Sequence, residues 1–141
     1  MFTIGSGSGA NASGDDYIAY CFHSVDGFSK FGSYTGNGST NGPFVYTGFR
    51  PAFVMVKNAS AGSSYWVMMD DARDPYNRGS NGSFNALLAN VSNAEDTAAS
   101  GLDLVSNGFK LKQPGTSINN SGNTFIYMAF AEMPAKYSLG R

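Results

Sequence analysis

The sequence contains little of what disulfides and metal sites require. It has one cysteine, Cys21, and one histidine, His23, so no internal disulfide can form and the ligand set of a structural zinc site is missing. Charged residues make up only 13%, and nine Lys and Arg nearly balance ten Asp and Glu. Because a phosphate backbone is bound by clustered positive charge, we expect no nucleic acid partner.

Long apolar runs are also missing. None approaches the roughly 20 residues of a membrane-spanning helix, so no membrane insertion is expected. The first residues, MFTIGSGSGANASGDD, have neither the basic nor the apolar region of a signal peptide, so export by that route is not expected. Hydrophobic residues nevertheless reach 42% and aromatic residues 14%, which is enough apolar area to build a folded core.

The apolar residues occur in short runs separated by clusters of Gly, Asn, Ser and Asp. This pattern, with turns such as Asn81-Gly82 and Asn107-Gly108, predicts an all-β fold, a single antiparallel β-sandwich of jelly-roll or lectin-like type. Residues 84–90 and 94–100 would also fit a short helical turn. Strands are predicted at 16–24, 30–35, 43–47, 52–57, 65–70, 84–88, 102–105, 109–112 and 123–132. The predicted core side chains are Ile18, Tyr20, Phe22, Phe53, Met55, Phe125 and Tyr127, or their neighbours of opposite parity.

An internal similarity links the two ends of the chain. Residues 11–22 and 119–130 share the pattern N-x-S-G-x-x-[YF]-I-x-x-x-F, and Phe2-Thr-Ile upstream of the first mirrors Phe109-Lys-Leu upstream of the second. The separation is about one β-sandwich. We therefore predict that residues 1–25 are a hairpin resembling the closing hairpin of a preceding repeat and that 26–141 are the β-sandwich module. A chance match of common turn and strand residues is the alternative.

The most concentrated polar stretch is DDARDPYNR at residues 70–78. Its carboxylates could coordinate a hard cation or perform acid–base work, but their spacing is not that of an EF-hand, so calcium is not indicated and no cofactor is expected. Nearby aromatic rings beside hydrogen-bonding groups suit sugar rings, although a surface turn next to a buried Trp explains the same residues. The candidate ligand-binding residues are Tyr65, Trp66, Asp70, Asp71, Arg73, Asp74, Tyr76 and Asn77.

Catalytic chemistry has one other candidate. Cys21 and His23 lie two apart on a predicted strand, where a thiol and its base would share a face. The second copy of the motif has Ala129 and Ala131 at these positions, so packing of small residues explains Cys21. We predict no catalytic residues and no enzyme. A glycan depolymerase, which needs two facing carboxylates in a cleft, is the weaker alternative.

Four successive segments, at residues 16–60, 65–77, 104–111 and 121–134, closely resemble a module of large virion-structural and tail-associated proteins of marine bacteriophages and prophages. In that family such modules occur in tandem with β-sandwich modules of concanavalin A-like or laminin-G-like character. The resemblance implies a component of a tail fibre, tail tip or other surface appendage, and it implies no active-site motif.

From this resemblance we expect a non-catalytic structural and adhesion module, made in the host cytoplasm and located in the virion. Its expected partners are other virion proteins, copies of itself in a homo-oligomer, and host cell-surface polysaccharide. The Gly- and Ser-rich first hairpin could exchange between neighbouring copies. The alternative function is a lectin-like, carbohydrate-binding module that recognises bacterial surface glycans.

Overall fold

The computed structural model describes residues 2–77, 84–99 and 101–132. The predicted turn at Asn81-Gly82 and the tail after residue 132 lie outside this part of the chain. Within it, short strands dominate and the one helix is a single turn. The elements are α1 (Ser8–Asn11), β1 (Ser29–Thr35), β2 (Phe44–Tyr46), β3 (Pro51–Asn58), β4 (Trp66–Asp70), β5 (Phe84–Leu88), β6 (Asp96–Ala99), β7 (Leu102–Val105), β8 (Gly108–Leu111) and β9 (Thr124–Ala131).

The strands form two antiparallel sheets that pack together, which confirms the predicted all-β sandwich. The larger sheet has six strands in the order β1-β9-β3-β4-β5-β6, and the smaller has three in the order β2-β8-β7. Strand β9, the last in sequence, lies inside the large sheet between β1 and β3. The first and last strands of the sandwich module are therefore paired through their main chains, with β1 at the edge of the large sheet.

The core lies between the sheets. Val54 and Val56 of β3 and Phe125 of β9 are fully buried, and they face a small sheet whose inner residues include Leu104 and Phe109. Burying each such side chain contributes about 1.5–3 kcal/mol relative to leaving it in water. Phe125 and Tyr127 face the core as predicted, whereas in β3 the opposite-parity neighbours of Phe53 and Met55 do so.

Tyr34 of β1 joins the two layers at one end of the core. Its ring stacks on Phe125 with centroids 5.2 Å apart and meets Phe109 of the small sheet edge-on at 6.1 Å. Its hydroxyl donates to the backbone oxygen of Ile118 at 2.5 Å. Burial raises the pKa of Tyr34 well above the ordinary tyrosine value, because the charged phenolate would lose its hydration there.

The predicted strand at residues 16–24 is wrong. This stretch forms no ladder, and Ile18, Tyr20 and Phe22, which were expected in the core, are 81%, 81% and 60% exposed. Its counterpart β9 pairs with a strand on each side, and within the described residues the first copy has none. A segment of strand-forming residues becomes a strand only where another strand supplies the backbone hydrogen bonds.

Strand β6 was not predicted. Its sequence lies in the Ala-rich stretch at 94–100 that also fits a helical turn, but it pairs with β5 through Phe84↔Ala99 and Ala86↔Asp96. The edge of the large sheet therefore overrides local helix preference here. The short helix α1 was likewise not predicted, since the glycines around it indicate a flexible loop.

Candidate functional site

The eight predicted ligand residues divide between the two ends of β4. Trp66 begins the strand and Asp70 ends it, with both side chains on the sheet face away from the core. At the rise of a β-strand these positions are about 13 Å apart. Tyr65 lies with Trp66 at the first end, and the other five residues follow Asp70. The structure therefore does not bring the aromatic pair and the acidic loop into one site.

At the acidic end, the carboxylates of Asp70 and Asp71 form ion pairs with arginines. Asp70 accepts hydrogen bonds from the backbone N–H of Arg73 at 2.9 Å and from its Nε at 2.7 Å. The same guanidinium reaches Glu95 at 3.3 Å, and Arg50 binds Asp71 at 2.6 Å. Partly exposed pairs of this kind each contribute about 0–1 kcal/mol. The arrangement is that of a surface turn whose charged side chains pair within the loop and with Arg50 and Glu95.

The rest of this loop makes hydrogen bonds to both sheets. Asn77 exchanges two hydrogen bonds with the backbone of Leu104, at 3.0 and 2.9 Å, and so pairs with the outer strand of the small sheet. Asp74 is buried, and its Oδ2 accepts the N–H of Asn85 in β5 at 3.5 Å. Tyr76 projects into solvent between them. Asp74 and Asn77, two more of the predicted ligand residues, therefore make structural contacts.

A groove of about 260 Å³ lies on the face of the large sheet that points away from the core. We call this face the outer face. Trp66 forms part of the groove, which crosses β1, β9, β3 and β4. Polar neighbours are few, although Lys57, paired with Trp66 and Ile126 across the strands, donates to the backbone oxygen of Ser64 at 2.8 Å. The lining residues are Phe31, Gly32, Met55, Trp66, Ile126, Tyr127 and Met128.

The outer face is apolar well beyond the groove. Met55, Met68 and Leu87 lie side by side across β3, β4 and β5, all only partly buried. At one end, Phe130 packs edge-on against Phe31 with centroids 5.7 Å apart, and further rings join this aromatic cluster. Those further rings are Phe22, Phe28 and Phe53.

Sequence reasoning did not identify this face, although a signal was present. The segments FVMV in β3, WVMM in β4 and FIYMAF in β9 are apolar at both parities. Continuous apolar strands are typical of sheets covered on both faces, whereas a solvated face produces alternation. The prediction assumed that the sheet has one buried face, so it considered which parity faces the core and not whether the outer face is apolar.

Other site chemistry is limited in the described part of the chain. No group of three or more His, Cys, Asp or Glu side chains there is placed to hold a metal ion. Cys21 is exposed, and the ring Nδ1 of His23 lies 2.9 Å from the backbone oxygen of Ser24. Among the same residues, no helix is long and apolar enough to cross a membrane. Burial raises the pKa of Tyr127, which faces the core beneath the groove.

Comparison with known proteins identifies the family. A family model described as a domain of unknown function, DUF7483, matches residues 1–134. The chain therefore belongs to the DUF7483 family. Neither a search of the curated proteins nor a search of the solved structures finds a match to the chain.

Proposed function

We propose that this DUF7483 domain is a non-catalytic structural and adhesion module of a phage particle, carried in a tail fibre, tail tip or other surface appendage. It packs through its outer face against copies of itself and other virion proteins, and it contributes no enzymatic step. The observation that carries the proposal is the apolar outer face. The virion setting is the one implied by the resemblance to tail-associated modules.

An apolar sheet face that stays in contact with water costs free energy. Each square ångström of apolar surface removed from water contributes about 25 cal/mol, so covering this face is favourable. Contiguous apolar patches on folded domains mark interaction sites. Met55, Met68 and Met128 are well suited to such a contact, because unbranched, polarisable methionine side chains adapt to different partners.

The test is self-association of the purified chain, measured by sedimentation velocity over a wide concentration range. We expect the mass to rise with concentration, and Met128→Lys to abolish the rise because a charge would be buried in the contact. Ala61→Lys, in an exposed loop, is the matched control and should associate like the parent. A chain that stays monomeric at every concentration would count against packing between copies.

A second candidate, a carbohydrate-binding module, is favoured by one observation, the position of Trp66 in the groove. A partly exposed indole beside Lys57 offers a flat apolar surface next to a hydrogen-bond donor. This candidate needs host-surface glycans as ligand. It places the sugar in the groove and not on the acidic loop, whose carboxylates Asp70 and Asp71 are paired with arginines.

Retention on a panel of bacterial surface polysaccharides, with and without calcium, tests this candidate. Retention that is lost in Trp66→Ala and kept in Asp71→Ala would support a lectin site in the groove. Loss in Asp71→Ala alone would place the sugar on the loop. Shortening of the polysaccharide chains would overturn the non-catalytic proposal and indicate a depolymerase.

A further inference from the structure

The segment that precedes the sandwich has the same local structure as the segment that closes it. We call residues 5–24 the N-terminal segment and residues 113–132 the closing segment. Each begins with a turn in which one glycine carbonyl, of Gly7 or Gly115, accepts two backbone hydrogen bonds. The donors are Ala10 and Asn11 in the N-terminal segment, at 3.2 and 3.0 Å, and Ile118 and Asn119 in the closing segment, at 3.2 and 2.7 Å.

The match continues through the side chains. Asn11 donates from Nδ2 to the backbone oxygen of Gly5 at 2.9 Å, and Asn119 donates in the same way to Gln113 at 3.1 Å. Each segment then turns through a glycine of positive φ, at Gly14 with 89° and Gly122 with 76°. Backbone bonds from Asp15 to Ala12 and from Asn123 to Asn120 close the two turns. The similarity of the two segments therefore extends from their sequence to their local hydrogen bonds.

The two segments differ in what they contact. Asn119 is fully buried, and it also donates to the oxygen of Ser39 and accepts the N–H of Asn37. Both partners belong to the loop after β1, which packs so closely that a Cβ on Gly36 would lie 2.3 Å from the oxygen of Asn120. Asn11 is exposed, and its only side-chain hydrogen bond in the described structure is the one within its own segment.

The strand that follows is also suited to a sandwich. Tyr17, Ala19 and Cys21 correspond to Phe125, Tyr127 and Ala129, the core-facing side of β9. Tyr17 and Cys21 match the ring of Phe125 and the small side chain of Ala129, whereas Ala19 lacks the ring that Tyr127 supplies. On the other side, Ile18, Tyr20 and Phe22 correspond to the outer-face residues Ile126, Met128 and Phe130.

We propose that the N-terminal segment is the closing turn and strand of a second β-sandwich of this same family. There it lies between the strands equivalent to β1 and β3, and Asn11 binds the loop equivalent to residues 36–39. The acceptor is a second unit and not this one, because β9 already fills the position in this sandwich. This inference rests on the matched segments and not on the proposed packing through the outer face.

The junction also fixes how the two units meet. A short turn connects the N-terminal segment to β1, closed by the Val25↔Ser29 bridge and by Gly27 at a φ of 71°. Phe22 stacks on Phe31 of the outer face with centroids 5.7 Å apart. The Ser29 hydroxyl donates to the backbone oxygen of His23 at 3.1 Å. These contacts hold the end of the N-terminal segment beside β1, so a second unit that contains it would adjoin this one there.

A two-unit chain tests the proposal directly. Residues 26–112 are placed before residues 5–141, so that the N-terminal segment of the full chain stands where residues 113–132 would close the added unit. Amide hydrogen exchange at residues 17–23 is compared with that in the chain itself. We expect exchange there to slow by roughly 100-fold or more, because these amides would join a sheet ladder.

Matched variants keep the result interpretable. Tyr17→Asp with Cys21→Asp should remove the protection in the two-unit chain, because the charges would enter a core, and leave the melting temperature of the original chain unchanged. If the two-unit chain leaves its first unit unfolded, Ala10→Ile with Ala19→Tyr restores the side chains that Ile118 and Tyr127 supply in the closing segment. Unprotected amides at 17–23 in this restored chain would overturn the proposal.

The outcomes separate this inference from the proposed function. Met128→Lys is expected to block association through the outer face and to leave the protection of residues 17–23 as it was. Protection without self-association would support the second sandwich alone. Self-association without protection in the two-unit chain would support only packing through the outer face.

Discussion

The N-terminal segment and the closing segment have the same sequence motif and the same turn, yet only one of them ends in a strand. In the closing segment, β9 pairs on both sides and buries Phe125 and Ala129 completely. In the N-terminal segment, the corresponding residues form no strand and are exposed. Local sequence therefore determines the turn, whereas the neighbouring strands determine whether the following residues become a strand.

The largest difference in unfolding free energy between the two segments is expected when the aromatic residue that follows each turn is replaced. Phe125→Ala removes a fully buried ring that stacks on Tyr34, so it should lower the free energy of unfolding by about 3–5 kcal/mol. Tyr17→Ala, at the matched position, should change it by less than about 0.5 kcal/mol. Urea unfolding followed by the fluorescence of Trp66 measures both. Equal effects would mean that the N-terminal segment is part of the folded core.

The next largest difference in the loss of stability is expected between the two asparagines of these turns, Asn119 and Asn11. Asn119→Ala removes three partly buried hydrogen bonds, to Asn37, Ser39 and Gln113, so the expected loss of stability is roughly 2–4 kcal/mol. Asn11→Ala breaks one exposed hydrogen bond and should cost about 0.5 kcal/mol or less. The same urea titrations give both values. A costly Asn11→Ala would contradict the view that its turn stands apart from this sandwich.

A smaller difference is expected at the glycines of positive φ. No atom lies within 4 Å of a Cβ built at Gly122 or at Gly14, so alanine there meets only backbone strain. Gly122→Ala should therefore cost about 1–2 kcal/mol. Gly14→Ala should strain the turn of the N-terminal segment without lowering the melting temperature, because that turn can loosen while the sandwich stays folded. Thermal unfolding by circular dichroism measures both, and a matching loss at Gly14 would show that the two turns unfold together.

Much of the fold was readable from the sequence because short apolar runs between turn residues leave few alternatives. Strand β7 was predicted at its observed limits, and β3, β4, β8 and β9 to within a residue or two at each end. The strand predicted at 16–24 does not form, because a sequence pattern indicates that a segment is able to pair but not whether a partner strand lies beside it. The parity of β3 stayed open in the prediction for a related reason, since both faces of the large sheet are apolar.

The candidate ligand site was less predictable. Proximity in sequence joined Trp66 to Asp70, but β4 is extended and separates them along its length. Whether an Asp is free to bind a ligand depends on its partners, and Arg50, which binds Asp71, comes from a distant part of the chain. The groove on the outer face is assembled from four strands, so no single segment could reveal it.

The smallest effect on stability is expected at Cys21. The reactivity of its thiol is also a sensitive probe of whether the N-terminal segment lies in a strand. Its thiol is exposed, so a thiol reagent should modify it at the rate of an unstructured cysteine without changing the melting temperature. The matched probe is Ala129→Cys in a Cys21→Ser background, which places the thiol at the buried, equivalent position of β9. There, modification should require unfolding and slow by the factor that the unfolding equilibrium sets. In the two-unit chain, Cys21 itself should become slow to react, because its strand then lies between two others. A Cys21 that reacts equally fast in both chains would show that the N-terminal segment, despite its matching turn, does not enter a sandwich.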